Sequence, residues 1–504
     1  MKAVIIGSGI SGLTSAALLA QAGASVEVYE QNPNIGGVTA FARKNGYCWE
    51  QGPLLLGEFL PGERAYELLQ SLGITLDTVR EDRGIEMPDY SMWHPEHYAG
   101  PYWRRERLKE LFPEEAKGID AYYRFSDDML WVQYYALRSE KTGRLIDKIY
   151  LFFAWQKVKK YAGLSAEQLM KRFFRRSEVR ALFTGILADM CVAPSEFQGL
   201  GVPFFNIETA FDKRVPLTVK GRQIRGGYCY IRGGVEKLVE ALAQKITDKG
   251  GTFHTGATVE KILVEDGKTT GIRLQDKNTI EADIVIASGG GREVFYDLVG
   301  SEYLTDEYRE ILEEYHPMDA VFMVHLGVDF DPLKYQKAAL CYYYNTYDIE
   351  ASVKKLRDGI YHEGYDGFLI YVPSAVSPKM APPGCHAVTI YTICPDTLRE
   401  GNWEKKKEAY ADTLISLAET HLPGLTEHIQ EKLIMTPVEY RNMMHLEKCS
   451  FGGNAPIMGV RNSPHVTPVK DLYFVGAQSE SMGGVAGVMM GAKKAFDEIL
   501  KRDV

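Results

Sequence analysis

The chain opens on a short unbroken apolar run, Ala3-Val4-Ile5-Ile6, the pattern of a strand buried on both faces of a parallel sheet. It leads directly into Gly7-Ser8-Gly9-Ile10-Ser11-Gly12. Small and straight-chain residues then predict a helix from Ile10 to Ala22, stopped at Gly23. A second strand, Ser25 to Tyr29, ends on Glu30. Helical periodicity returns after Arg232-Gly233-Gly234, with Val235, Leu238, Val239, Leu242 and Ile246 on one face. A strand around Thr258 to Val264, a turn at Asp266-Gly267 and a return strand to Leu274 follow, then the apolar run Ala282 to Ala287 entering Ser288-Gly289-Gly290-Gly291. Near the end, Leu472 to Val475 reads as one more strand closed by Gly476-Ala477, and Met482-Gly483-Gly484-Val485-Ala486-Gly487 begins a last helix. In between, Ser165-Ala166-Glu167-Gln168-Leu169 introduces an aromatic, basic helix to about Ala188. Strands at Ala320 to Val328, Ala339 to Tyr344, Phe368 to Val372 and Ala387 to Ile393 predict a largely antiparallel sheet.

The first glycine cluster carries chemistry because of its place. In GxGxxG between a strand and a helix, Gly7 permits the tight turn, Gly9 lets backbone amides approach a pyrophosphate, and Gly12 lets the helix press on the sheet. The phosphate charge then meets the positive helix N-terminus. Glu30, about 20 residues on, accepts hydrogen bonds from ribose hydroxyls and repels a 2′-phosphate. FAD and NAD fit this arrangement, and NADP fits it poorly. Strand, helix and acid together supply the context that a bare glycine pattern lacks.

Length and composition narrow the class. A chain of 504 residues exceeds one ordinary core, predicting two intimately connected domains. No run of about 18 to 20 apolar residues is present and no signal peptide is evident, so the expectation is an intracellular, cytoplasmic protein. Cys48, Cys191, Cys229, Cys341, Cys385, Cys394 and Cys449 form no CxxC pair or metal-spaced cluster and read as buried thiols of a reducing compartment, with no metal site. A formal net charge of -9 argues against nucleic acid as a partner. One stretch runs the other way: Lys148 to Arg176 mixes Lys157, Lys159, Lys160, Lys171, Arg172, Arg175 and Arg176 with Phe152, Phe153, Trp155 and Phe174. It is either a helix with a solvated basic face or a peripheral contact for an anionic membrane surface.

Asn34-Ile35-Gly36-Gly37, then Gly46-Tyr47 through Gln51-Gly52-Pro53, resemble the second glycine pair and downstream turn of the glutathione-reductase-like, monoamine-oxidase-like flavoproteins. In that group the position of Val259 gives backbone contacts to adenine, and the strand ending before Ser288 returns beside the first. Amides at the start of the last helix face the flavin's pyrimidine edge, where negative charge appears on reduction. Taken together the chain resembles the phytoene-desaturase group, which includes carotenoid desaturases, carotenoid isomerases and retinol saturases. The resemblance implies an α/β fold in which a discontinuous Rossmann-type FAD-binding domain (1–76, 225–295 and 465–504) is combined with a mixed α+β substrate domain and helical insert (77–224 and 296–464). It implies FAD held by Gly7, Gly9, Ile10, Ser11, Gly12, Glu30, Gln31, Gly36, Gly37, Val38, Gly52, Pro53, Leu54, Val259, Ser288, Gly289, Gly476, Ala477, Gly483, Gly484 and Val485, and since no Cys or His stands in a flavin-linking motif, noncovalent binding is expected. Val38 stands where many desaturases and amine oxidases of this type carry Arg, which weakens an assignment to desaturation specifically.

For the substrate, Tyr228 and Tyr230 border the flavin face by this resemblance. Phe322, Tyr342, Tyr343, Tyr344, Phe368 and Tyr371 either line an apolar tunnel or are plain core; Tyr228, Tyr230, Phe322 and Tyr371 are the pocket candidates. His325 and His386 lie in apolar strands and read as core histidines. No Ser/His/Asp or Cys/His arrangement emerges, so no catalytic side chain is assigned, and hydride chemistry falls to flavin N5. The leading expectation is redox chemistry at a carbon-carbon bond of a hydrophobic isoprenoid or polyene molecule: desaturation, saturation or flavin-assisted isomerisation. An amine oxidase is the alternative. A flavin-free prenyl-binding protein of the Rab GDP-dissociation-inhibitor type is a third reading, opposed by the intact Gly7, Gly9, Gly12 and Glu30. The oligomeric state is left open.

Overall fold

Strands from three distant parts of the chain build one five-stranded parallel sheet, ordered Thr252–Thr255, Ser25–Glu30, Lys2–Ile6, Ile284–Ser288, Leu472–Val475. These are features of a computed structural model that describes residues 1–318, 320–448 and 452–502; Cys449 lies outside the described residues. Val4 faces Glu27 on one neighbour and Val285 on the other, so the first strand is paired along both edges, as its unbroken apolar run requires. Its alternate residues serve two cores. Ala3 and Ile5 pack with Leu13 and Ala17 of the helix Ile10–Gln21, Leu238 and Leu242 of the helix Glu236–Asp248, and Met489 of the helix Val485–Arg502. Val4 points the other way, toward Ile262 and Ile272 of a three-stranded antiparallel sheet, Val259–Glu265, Lys268–Leu274 and Thr279–Glu281.

Two strands of these two sheets escape the sequence pattern. Thr252–Thr255 forms the edge of the parallel sheet beside Glu27 to Glu30, and Thr279–Glu281 completes the antiparallel one. Both are short edge strands whose side chains largely face water, so they carry no apolar run.

The second large sheet has seven strands: Ile429–Met435, Ala320–Val328, His386–Cys394, Gly367–Tyr371, Leu340–Tyr344, Arg83–Glu86 and Ser91–Met92. The four central strands are those legible in the sequence. Arg83–Glu86 runs parallel to Leu340–Tyr344, so the early segment also contributes to this mostly antiparallel sheet. One face packs on the helices Trp103–Leu111, Ala116–Thr142, Ala166–Phe173 and Ser177–Thr184. The other packs on the helix Trp403–Glu419.

The helix expected from Ser165 to Ala188 is broken. It starts as predicted, with Ser165 and Gln168 forming a reciprocal cap, but Phe174 is extended and a second helix begins at Ser177. The buried carboxylate of Glu115 accepts from the Arg175 and Arg176 amides, both at 2.7 Å, and holds the break open. Among the cysteines, Cys191, Cys229, Cys341 and Cys394 are buried, whereas Cys48 and Cys385 are only half-buried. Cys48 lies in the short strand Tyr47–Glu50, and Cys385 in the turn that precedes the strand His386–Cys394.

Candidate functional site

The three glycines of the first turn have different duties. A Cβ at Gly7 would lie 2.6 Å from the Ser288 carbonyl oxygen, and one at Gly12 would overlap the Gly7 carbonyl. A Cβ at Gly9 would meet only Ser288 Oγ, at 4.0 Å. Packing therefore demands glycine at two positions, while the third keeps open ground above the helix N-terminus, where a pyrophosphate would be held. Ile10 and Ser11 open that helix, and Ser11 Oγ bonds Ser288 Oγ at 2.9 Å. The buried Glu30 carboxylate accepts from Ser8 N at 2.9 Å, Ser8 Oγ at 2.6 Å and Asn32 N at 2.8 Å, which fixes it at the rim of the turn. Gln31 beside it is exposed. Val259 heads its strand close by, since the Ala257 amide donates to the Glu30 carbonyl at 2.9 Å.

The other glycine turns close around this spot. Gly36 adopts φ +114° and Gly37 φ +58°; the Gly36 amide donates to Ser8 O at 3.1 Å, and a Cβ at Gly37 would be 3.7 Å from Gly9 Cα. The Val38 carbonyl oxygen would be 2.5 Å from a Cβ at Gly52, so Gly52, with Pro53 and Leu54 following, packs directly under the second glycine pair. From the far end of the chain, a Cβ at Gly476 would lie 3.5 Å from Gly289 O and 3.8 Å from Ser11 Oγ. The Gly291 amide donates to Gln478 Oε1 at 2.6 Å, tying the turn after Ser288 to the one containing Ala477. Gly483, at φ +63°, is pressed against Gly453 N, whereas a Cβ at Gly484, just before Val485 opens the last helix, would meet nothing within 4 Å. The turns thus converge at the carboxyl ends of Lys2–Ile6, Ile284–Ser288 and Leu472–Val475, the edge at which α/β sheets bind ligands.

An aromatic cluster adjoins this cradle. The strand Tyr228–Ile231 pairs Tyr228 with Gly57 and Cys229 with Leu56, which anchors both candidate tyrosines to the chain leaving Gly52-Pro53-Leu54. Tyr230 stacks on Tyr371 with ring centroids 5.8 Å apart and planes 9° from parallel. Tyr342 and Tyr344 stack likewise at 5.9 Å. Phe322 does not join them. It faces the opposite side of the seven-stranded sheet, 5.6 Å from the Trp403 ring and 5.7 Å from Tyr361, because adjacent strand residues point to opposite faces. Tyr343 and Phe368 share that side. An apolar cleft of about 370 Å³, lined by Phe197, Phe204, Phe205, Ile457, Met458 and Met482, reaches up to the segment preceding Gly483.

Three ionisable residues in this region lie outside the expectations drawn from the sequence. The buried guanidinium of Arg83 lies 4.5 Å from the Phe211 ring centroid, 5.1 Å from Tyr228 and 5.9 Å from Tyr342. Burial pushes the Asp189 carboxyl up to about 8, with Arg83 pulling the other way. Burial likewise pushes Glu50 up to about 7, against the Tyr371 hydroxyl and the Val235 amide. Glu50 Oε1 accepts from Val235 N at 2.9 Å, while Oε2 has no hydrogen-bond partner among the described residues. A glutamate closing the strand Tyr47–Glu50, two residues before Gly52, is a signal that was available for Glu50; nothing local marks Arg83 or Asp189. His325 is fully buried, bonds Thr389 Oγ1 at 2.9 Å and is pushed down to about 3 by burial, so it is a neutral core residue. His386 is only partly buried; its Nδ1 lies 3.1 Å from Ser374 Oγ.

Residues 10–500 match the family described as flavin containing amine oxidoreductase. The chain belongs to that family. Among its relatives is a chloroplastic prolycopene isomerase of Daucus carota, 26% identical over 526 residues, covering 98% of this chain and 80% of the carrot protein. A zeta-carotene-forming phytoene desaturase of Myxococcus xanthus is 23% identical over 520 residues, covering 99% of this chain and 94% of the relative. In three dimensions an oxidoreductase from Methanosarcina mazei superposes with a TM-score of 0.65 at 20% identity, over 99% of this chain and all of the other. Cyclohexylamine oxidase from Brevibacterium oxydans gives 0.60 at 16% identity, over 100% of this chain and 99% of that one. Members of the flavin containing amine oxidoreductase family are oxidoreductases, and this chain has their fold across its whole length.

Proposed function

We propose that this oxidoreductase binds FAD noncovalently in the glycine cradle and acts on a carbon-carbon bond of a hydrophobic isoprenoid or polyene substrate, by desaturation, saturation or isomerisation. The observation that carries the reading is the open ground at Gly9 and Gly484 beside an aromatic cluster and an apolar cleft. In this reading, the segments 1–76, 225–295 and 465–504 hold the cofactor and the remainder shapes the substrate site. Glu30 takes the ribose hydroxyls, and amides from Gly9 to Ser11 and from Gly484 to Val485 take the pyrophosphate and the flavin edge. The relatives that act on carotenoids favour a polyene over an amine.

When bound, FAD accepts or returns a hydride at N5. The protein's own work is to orient an extended apolar chain against stacked rings, exclude water, and handle protons. Tyr230 and Tyr371 contribute a buried ring stack beside the cradle. Glu50 at about 7 and Asp189 at about 8 can each hold or release a proton near neutral pH, as removal or addition of hydrogen at a carbon-carbon bond requires.

The test is an anaerobic absorbance titration with FAD, followed by polyenes, retinoids, unsaturated lipids and amines. Bleaching of the bound flavin by a polyene supports desaturation. A polyene that is isomerised or saturated only after the flavin has been chemically reduced supports the other two directions. Bleaching by amines alone overturns the substrate assignment, and a chain that never takes up FAD overturns the cofactor assignment.

A further inference from the structure

The helix Leu145–Val158 is turned inside out with respect to an ordinary surface helix. Leu145 is 72% exposed, Phe152 58% and Phe153 62%, and Ile146, Ile149 and Tyr150 are exposed with them. Their spacing places all six on one stripe of the helix. The opposite side is anchored: Asp147, Ala154 and Val158 are buried on the rest of the helical insert, and Asp147 accepts from Arg138 Nε at 2.7 Å and Thr142 Oγ1 at 2.8 Å. The outward stripe is therefore fixed by an ion pair whose carboxylate is buried. A contiguous apolar face held in water marks a docking surface.

Charge identifies the partner. Arg144, Lys148, Lys157, Lys159 and Lys160 flank the stripe, while the one acid within the helix, Asp147, is turned inward. Lys148, Lys159 and Lys160 form no ion pair among the described residues. Elsewhere in the basic stretch, Lys157 pairs with Asp128, Lys171 with Glu167 and Arg176 with Glu114 and Glu178. A net charge of -9 over the whole chain makes this basic rim a local reversal. We propose that Leu145–Val158 is an interfacial helix that docks the protein on an anionic lipid bilayer, with its apolar stripe in the acyl boundary and its basic rim at the headgroups. Two copies of this chain pressed stripe to stripe would bring like-charged rims together, which disfavours self-association there. No helix among the described residues is long and apolar enough to cross a membrane. At 14 residues, about 21 Å, this one lies flat in the surface.

The docked face is wired to the cleft. Gln198, which lines the cleft, donates to the Ala162 carbonyl at 3.0 Å, and the Gly199 amide donates to Leu164 O at 2.9 Å, both just beyond the end of the helix. A lipid-dissolved substrate would thus enter beside the membrane contact. That consequence rests on the polyene reading, and the docking does not.

Co-sedimentation of the full chain with vesicles of phosphatidylcholine alone and of phosphatidylcholine with phosphatidylglycerol tests the proposal. The expected result is binding to the anionic vesicles that weakens as salt shortens the screening length from about 10 Å at 0.1 M to about 3 Å at 1 M. The double variant F152D/F153D should bind about tenfold or more weakly, and K148E/K159E should lose its preference for anionic vesicles, with melting temperature and bound flavin unchanged in both. Equal vesicle binding by the native chain and F152D/F153D, or no binding by the native chain, overturns the proposal. So does a lipid-free dimer that F152D/F153D converts to monomer in analytical ultracentrifugation. Failure to bind FAD in the same preparation bears on the functional reading and leaves the docking result standing.

Discussion

In the five-stranded parallel sheet the site is built from missing side chains: glycines at 9, 289 and 484 leave backbone and space at the carboxyl edge, and the apolar residues only hold that edge in place. In the seven-stranded sheet the site is built from large side chains, and the two faces put the same residue types to opposite use. Phe322, Trp403, Tyr361 and Tyr410 interlock into a closed core on one side. Tyr371 and Tyr342 on the other stand beside Glu50, Arg83 and Tyr230, whose polar atoms are buried without a full set of partners. Buried polar groups are costly unless satisfied. Among the described residues, the closed face leaves one such atom, the Tyr361 hydroxyl, whereas the other leaves a carboxylate, a guanidinium and a hydroxyl, and it is the ionisable groups that separate chemistry from support.

Three substitutions sharpen this contrast. Trp403→Ala should have the largest effect, lowering stability by about 3–5 kcal/mol through the cavity it leaves, with flavin content per folded molecule unchanged. Urea unfolding and flavin absorbance together read it, and loss of flavin from the folded variant would show that the closed face is part of the site.

Glu50→Gln comes next and is read against pH. Burial raises this carboxyl from 4.5 to about 7, so between those values the folded protein keeps a proton that the unfolded chain has released. Stability therefore falls as pH rises through that window, and the deficit is complete above it. The variant lacks the deficit. It should match the native protein below about pH 4.5 and exceed it by up to about 3 kcal/mol above pH 7. A difference that stays constant with pH would mean that the carboxyl is not held in its neutral form.

Gly9→Ala is the gentlest for the fold and the most telling for the cradle. Its backbone, φ -63° and ψ 171°, suits alanine, and the added Cβ meets no protein atom closer than 4.0 Å. The melting temperature should hold, with stability changed by less than about 1 kcal/mol, while FAD affinity falls by about tenfold. Undiminished FAD binding, measured by equilibrium dialysis, would move the pyrophosphate away from Gly9.

The parallel sheet was largely legible because its rules are local. A buried apolar strand, a glycine turn and a capped helix announce themselves within a dozen residues, and Glu30 follows at a fixed distance. What escaped depends on the third dimension. Thr252–Thr255 is an edge strand with little to bury. The alternation of residues 320 to 328 shows that Phe322 and Met323 oppose each other, yet only the packing of Trp403 says which face is closed. The basic stretch from Lys148 to Arg176 reads as one unit by composition, whereas Asp147 decides which way the first part faces and Glu115 breaks the later part in two. Arg83 and Asp189 become neighbours only after the sheet gathers strands from both ends of the chain.

The parallel sheet also sets the timing of synthesis. The strand Ile284–Ser288 is made with one edge paired to Lys2–Ile6, but its other edge waits for Leu472–Val475, roughly 190 residues later. At typical translation speeds that interval is about 10 to 40 s, during which the nascent chain carries an apolar strand with an open row of amides and carbonyls. A growing polypeptide of this design depends on chaperones or on temporary cover from its own unfinished segments until the last helix arrives.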